Sequence, residues 1–179
     1  MSPFHGLMCV IIRSVKQPHK KWGKLVILKQ IDTVFENYWN ILYRTAFTML
    51  KNQYDAEDAV QDTFLRYITK APAFYDNEHE KAWVLKVCMN ICKNKLRLHH
   101  LHMAVDIDTV EISDNQKEDV GLMFSLTELP AKYKEVILLY YMGGYPCKEI
   151  SKILRLTEST VKKRLERGRN LLKRKLEEE

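Results

Sequence analysis

Cysteine is sparse here, with four in 179 residues (Cys9, Cys88, Cys92, Cys147), and none falls in a Cys-x-x-Cys pair. That excludes a disulfide scaffold and points to reduced thiols of a cytoplasmic protein. Cys88 and Cys92 lie one helical turn apart ahead of His99, His100 and His102, but this spacing matches no standard zinc finger, so no metal and no other cofactor is expected. Six glycines and five prolines are too few for a collagen or a low-complexity chain. Long hydrophobic runs are also missing. The longest near the start, Leu7 to Ile12, is far short of a membrane span and lacks a basic segment ahead of it. Neither a secretion signal nor membrane insertion is expected.

What is present is a packed-core composition, 46% hydrophobic, with a net charge of +6. The charge comes in blocks. Residues 1–30 hold six Lys/Arg and no acid, while 99–121 hold six acids and one base. From Pro130 to Leu176 there are thirteen Lys/Arg against four acids. Blockwise asymmetry predicts separate modules with separate partners, at least one of them polyanionic.

Periodicity predicts an all-α chain of two small helical domains. Apolar residues recur at helical steps through Val34, Phe35, Tyr38, Ile41, Leu42, Thr45, Ala46 and Leu50, then through Ala56, Val60, Phe64, Leu65 and Ile68, with Pro72 beyond. Phe74 to Glu80 reads as a loop, and a third helix is predicted from about Lys81 to Leu98. The C-terminal module opens at Pro130, repeats through Tyr133, Val136, Ile137, Tyr140 and Tyr141, and breaks at Gly143-Gly144. Pro146 opens a short helix, Arg155-Leu156 makes a turn, and Thr157 is a natural N-cap for the last helix.

Helix, tight turn and basic second helix form the pattern of a helix-turn-helix reader of duplex DNA. In the last helix Val161, Leu165, Gly168 and Leu172 share an inward side. Ser159, Lys162, Lys163, Glu166 and Arg167 share an outward side suited to a major groove. Arg164, Arg169, Lys173, Arg174 and Lys175 suit phosphates. A basic helical face alone is more often solvated surface; the turn and the cap tip the balance. On the third helix Lys86, Asn90, Lys93, Asn94 and Arg97 make a stripe of cations and amides near Phe74, Tyr75 and Trp83, a pattern suited to melted nucleic acid, although such a stripe alone is more often an ordinary amphipathic helix with Trp83 in the core. The second helix starts with Asp55, Glu57 and Asp58, followed by Asp62. These acids favour the helix dipole and offer a docking surface for a basic partner. No third ligand arrives at a spacing that makes Asp58 and Asp62 catalytic, so no enzyme and no small-molecule substrate is expected.

Taken together, "DAEDAVQDTF" (55–64), "KAWVLKVCMNICKNKLR" (81–97) and the block from Glu128 to Leu176 resemble the extracytoplasmic-function sigma factors of bacterial RNA polymerase. The resemblance implies a region 2-like domain over 31–98, an acidic linker over 99–121, and a region 4-like helix-turn-helix domain over 122–179. Residues 1–30 have no counterpart and are assigned as a basic N-terminal extension, a disordered tail or a mis-assigned start. Asp55, Asp58, Gln61, Asp62 and Phe64 would dock on the clamp of core RNA polymerase. Lys86, Asn90, Lys93, Asn94 and Arg97 would meet the minus-ten promoter DNA, and the loop from Phe74 would hold a flipped base. Ser159, Lys162, Lys163, Arg164, Glu166 and Arg167 would meet the minus-thirty-five element. An anti-sigma factor is an implied further partner. The family often has Gly where this chain has Arg155, which predicts positive φ at a non-glycine residue. The rival expectation is a stand-alone helix-turn-helix regulator, which the acidic "DAEDAVQDTF" patch disfavours.

Overall fold

The computed structural model describes residues 24–102 and 125–177, with side chains over 33–98 and 125–177. Every element in these stretches is helical. The first helix, α1 (Lys24–Leu50), buries Val34, Tyr38, Leu42, Ala46 and Met49 along one stripe. It begins seven residues inside the stretch assigned as an extension. Lys51 breaks it by turning left-handed at φ 60°. The side chain of Asn52 then accepts from the Asp55 N–H at 3.0 Å and caps α2 (Gln53–Lys70). Ala71 ends α2 by donating its N–H to the Tyr67 carbonyl, just ahead of Pro72.

The Asp76 carboxylate accepts from the His79 N–H at 2.6 Å and starts α3 (Asn77–His102). The third helix therefore begins four residues before its predicted start, because an Asx cap inside the expected loop supplies the first turn. Val84, Leu85, Cys88, Met89, Ile91 and Cys92 face inward from α3, and α1, α2 and α3 pack pairwise into a three-helix bundle. Cys88 and Cys92 belong to this core. The hydrogen bond with Cys88, together with burial, pushes the Cys92 thiol up, away from thiolate chemistry.

The second module opens with a short helical turn over 125–128 and with α4 (Ala131–Ile137). Helix α4 runs directly into a π-helical turn, Leu138–Met142. That turn changes the phase of the repeat. Tyr141, read from its spacing as inward-facing, is 59% exposed, because the wider turn rotates it out of the apolar stripe. Gly144 at φ +78° makes the break. Helices α5 (Cys147–Leu154) and α6 (Glu158–Glu177) follow, packed on each other, and α6 also packs on α4. The buried apolar residues of both modules form one contiguous cluster.

Candidate nucleic-acid interface and docking face

The turn between α5 and α6 is set by Arg155, which sits left-handed at φ 55°, ψ 50° and closes α5 through its N–H to Ser151 and Lys152 carbonyls. Thr157 caps α6, its hydroxyl accepting from the Thr160 N–H at 3.2 Å. Val161, Leu165 and Gly168 then face inward. A Cβ at Gly168 would lie 2.6 Å from Ile137 Cδ1, the end of a flexible side chain, so a larger residue there would push that methyl aside where α6 crosses α4. With that side fixed, Ser159, Lys162, Lys163, Glu166 and Arg167 are all exposed, and Arg164 is half-buried at the edge. Lys162 pairs with Glu158 at 2.7 Å within the helix, which leaves Lys163 and Arg167 at the middle of the outward face.

Arg169 is taken elsewhere. Its guanidinium lies over the rings of Tyr140 and Tyr141, and its Nε donates to the Tyr141 hydroxyl at 2.8 Å. Residue spacing does not signal this cluster, since the π-helical turn that presents both tyrosines has no periodic signature.

On α3, Asn94 and Arg97 are exposed, while Lys86, Asn90 and Lys93 are half-buried. Lys86 Nζ donates to the Ile153 carbonyl of α5, and burial, with Lys93 nearby, pulls its pKa down. Lys93 Nζ lies 2.7 Å from Glu135 Oε1 of α4. At the front of α3 the rings of Tyr67, Phe74 and Trp83 meet at centroid distances of 5.8–6.1 Å. Tyr75 is 81% exposed and stacks on His79 at 4.1 Å. Beneath them Glu80 accepts from the hydroxyls of both Tyr38 and Tyr67. Burial and this carboxylate push both phenols above the usual tyrosine range. The cluster is thus a rigid aromatic floor with one ring, Tyr75, free to face solvent.

On α2, Asp58 is exposed, and Asp55, Gln61 and Asp62 are half-buried. Tyr54, 82% exposed, and Leu65, 38% exposed, extend the same face at helical spacing. Neither was singled out for docking from the sequence, although an apolar residue in phase with the acids was the available signal. Phe64 requires correction. It is 2% exposed and packs on Phe35 at 4.7 Å, because its phase on α2 points into the bundle. It supports the face from beneath and reaches no partner. The sequence reading also missed Lys95. Its Nζ donates to Asp58, and although burial pulls Lys95 down, Asp58, Asp55 and Asp62 together hold it above its ordinary value.

No cluster of three or more metal-ligating side chains occurs among the described residues, and no described helix is long and apolar enough to cross a membrane. Two family sequence models match the chain: "Sigma-70 region 2" over residues 34–100 and "Sigma-70, region 4" over 122–172. Among similar proteins, the ECF RNA polymerase sigma factor SigM of Bacillus subtilis (strain 168) is 30% identical over 152 residues, which cover 80% of this chain and 93% of SigM. RNA polymerase sigma factor SigV of the same organism is 32% identical over 141 residues, covering 76% of this chain and 85% of SigV. The fold is shared with a solved sigma factor RpoE, in complex with the anti-sigma factor NepR from Bartonella quintana. The TM-score is 0.71 at 24% identity, over 83% of this chain and 98% of that one. CnrH, solved in complex with the cytosolic domain of CnrY, matches with a TM-score of 0.59 at 19% identity, over 85% and 90% of the two chains.

Proposed function

The chain belongs to the extracytoplasmic-function class of RNA polymerase sigma factors, and from that premise we propose how its surfaces divide the work of directing initiation at promoters. The N-terminal module, about residues 31–98, docks on core polymerase through Asp58, Gln61 and Asp62 on α2, with Tyr54 and Leu65 as apolar flanks. Lys95 holds the acidic cluster in place until a basic partner competes for Asp58. The α3 stripe of Lys86, Asn90, Lys93, Asn94 and Arg97 meets melted minus-ten DNA, with Tyr75 as a stacking ring for an unpaired base. The C-terminal module, 122–179, lays α6 in the minus-thirty-five major groove, where Lys163 and Arg167 read base edges and Arg164 meets phosphate. The acidic segment 99–121 links the two, and residues 1–30 precede them. Bond formation belongs to polymerase, and the work is done in the cytoplasm. A regulatory anti-sigma protein is a further partner expected of the family.

The observation that carries this reading is the outward face of α6, held open by the left-handed turn at Arg155, the Thr157 cap and the glycine contact at Gly168. Reconstitution with bacterial core polymerase on a promoter library tests it. Specific run-off transcripts should appear only when the chain is present. Charge reversal at Asp58 and Asp62 should abolish co-purification with core and spare duplex contacts. Replacing Lys163 and Arg167 by Ala should weaken upstream-element binding by about 1–3 kcal/mol per lost base contact and spare core binding. Transcription that is indifferent to the chain would overturn the reading.

A further inference from the structure

We propose that Glu166 of α6 holds one position of the minus-thirty-five element to cytosine, at a base separate from those that Lys163 and Arg167 read. This rests on the proposed seating of α6 in the major groove and adds to it the base that a carboxylate there selects.

A carboxylate facing a duplex is repelled by every phosphate it nears, unless a cation neutralises it or a base edge donates to it. Within a helix such a cation comes from three or four residues away. For Glu166 those positions hold Lys162, Lys163, Arg169 and Asn170. Lys162 is taken by Glu158 at 2.7 Å, and this pairing holds Lys162 above its ordinary pKa and Glu158 below its own. Arg169 lies over the Tyr140 and Tyr141 rings and donates to the Tyr141 hydroxyl at 2.8 Å. Asn170 carries no charge. Lys163 is exposed, as Glu166 is, and Glu166 joins no ion pair among the described residues. The two cations best placed to cancel Glu166 are thus both drawn away from it, one by a second carboxylate and one by a pair of rings. Its charge is left whole on the face that meets DNA.

The phase of α6 decides where that charge goes. Successive helical residues point about 100° apart. Lys163 and Arg167, four apart, share one edge of the outward face. Ser159, Lys162 and Glu166, at steps of three and four, share the other. With Val161, Leu165 and Gly168 buried behind them, Glu166 and Arg167 diverge across the groove and meet different bases. In the major groove guanine offers acceptors at O6 and N7, and thymine offers an acceptor and a methyl. Adenine sets its N6 amino group beside the N7 acceptor, which repels a carboxylate. Cytosine alone presents an amino donor, N4, with no acceptor at its side. Glu166 therefore attracts cytosine and rejects the other three, and it lowers affinity for any duplex that lacks cytosine there.

Holoenzyme reconstituted from the full chain and bacterial core polymerase, on a promoter library randomised across the upstream element, tests this by sequencing the transcripts. One position should favour cytosine about tenfold. Glu166→Gln, whose carboxamide matches adenine N6 and N7 together, should move that preference to adenine and leave the other positions as they were. Glu166→Ala should erase it and tighten binding of the full chain to a mixed-sequence duplex about threefold, since a negative charge leaves the face. Arg167→Ala should flatten a different position and keep the cytosine. A Glu166→Ala profile identical to wild type would overturn the assignment. So would a loss confined to positions that Lys163→Ala or Arg167→Ala also flatten, since Glu166 would then act only through those cations. A wild-type holoenzyme with no upstream preference at any position would count against the seating of α6 itself, and the assignment would fall with it.

Discussion

Arg155 carries the turn of the DNA reader in a conformation that side chains dislike. At φ 55° its Cβ crowds the following carbonyl, a cost of about 1 kcal/mol that glycine escapes. Arg155→Gly should therefore stabilise the chain, raising Tm by roughly 2–4 °C in a thermal scan. An unchanged or lower Tm would mean the arginine side chain earns its position by another contact. Lys134 gives a second residue-scale outcome. Burial, with Lys51 nearby, lowers its pKa from 10.5 to about 8 in the native state. Between those values the unfolded chain holds the extra proton, so stability rises with pH across that window and is lowest below it. Lys86 is lowered, chiefly by burial, and acts in the same direction. Urea unfolding should show a gain from about pH 8 to about pH 9.5, and Lys134→Met should flatten much of it.

At the scale of elements, Thr157 is the end-stop that gives α6 its register. Thr157→Ala should cost about 1 kcal/mol and speed hydrogen exchange of the Thr160 amide roughly fivefold. An unchanged exchange rate would show that the hydroxyl does not cap. Most of this element was legible in advance: the apolar steps from Val161 to Gly168, the threonine cap and the strained turn all follow from local chemistry. The same local rules failed at three places. Helix α3 began at Asn77 because an aspartate cap lay inside a stretch that looked like loop. The π-helical turn at Leu138–Met142 has no period of its own, so Tyr141 was put on the wrong side. Phe64 was assigned to the surface by resemblance although its phase with Val60 and Ala56 pointed inward. Contacts between modules were not legible at all. Nothing in the spacing of Lys134 and Glu135 tells which distant carbonyl or ammonium they will meet.

For the whole molecule, the blockwise charge predicts two separate modules on either side of an acidic segment. Their buried side chains nevertheless run without interruption from one half to the other. A calorimeter should accordingly record a single endotherm for the wild-type chain, with van't Hoff and calorimetric enthalpies in agreement. Glu135→Lys should split that signal in two, each peak smaller and the first at a lower temperature. A protein whose halves melt together until one carboxylate is reversed would carry its own lock inside its heat capacity.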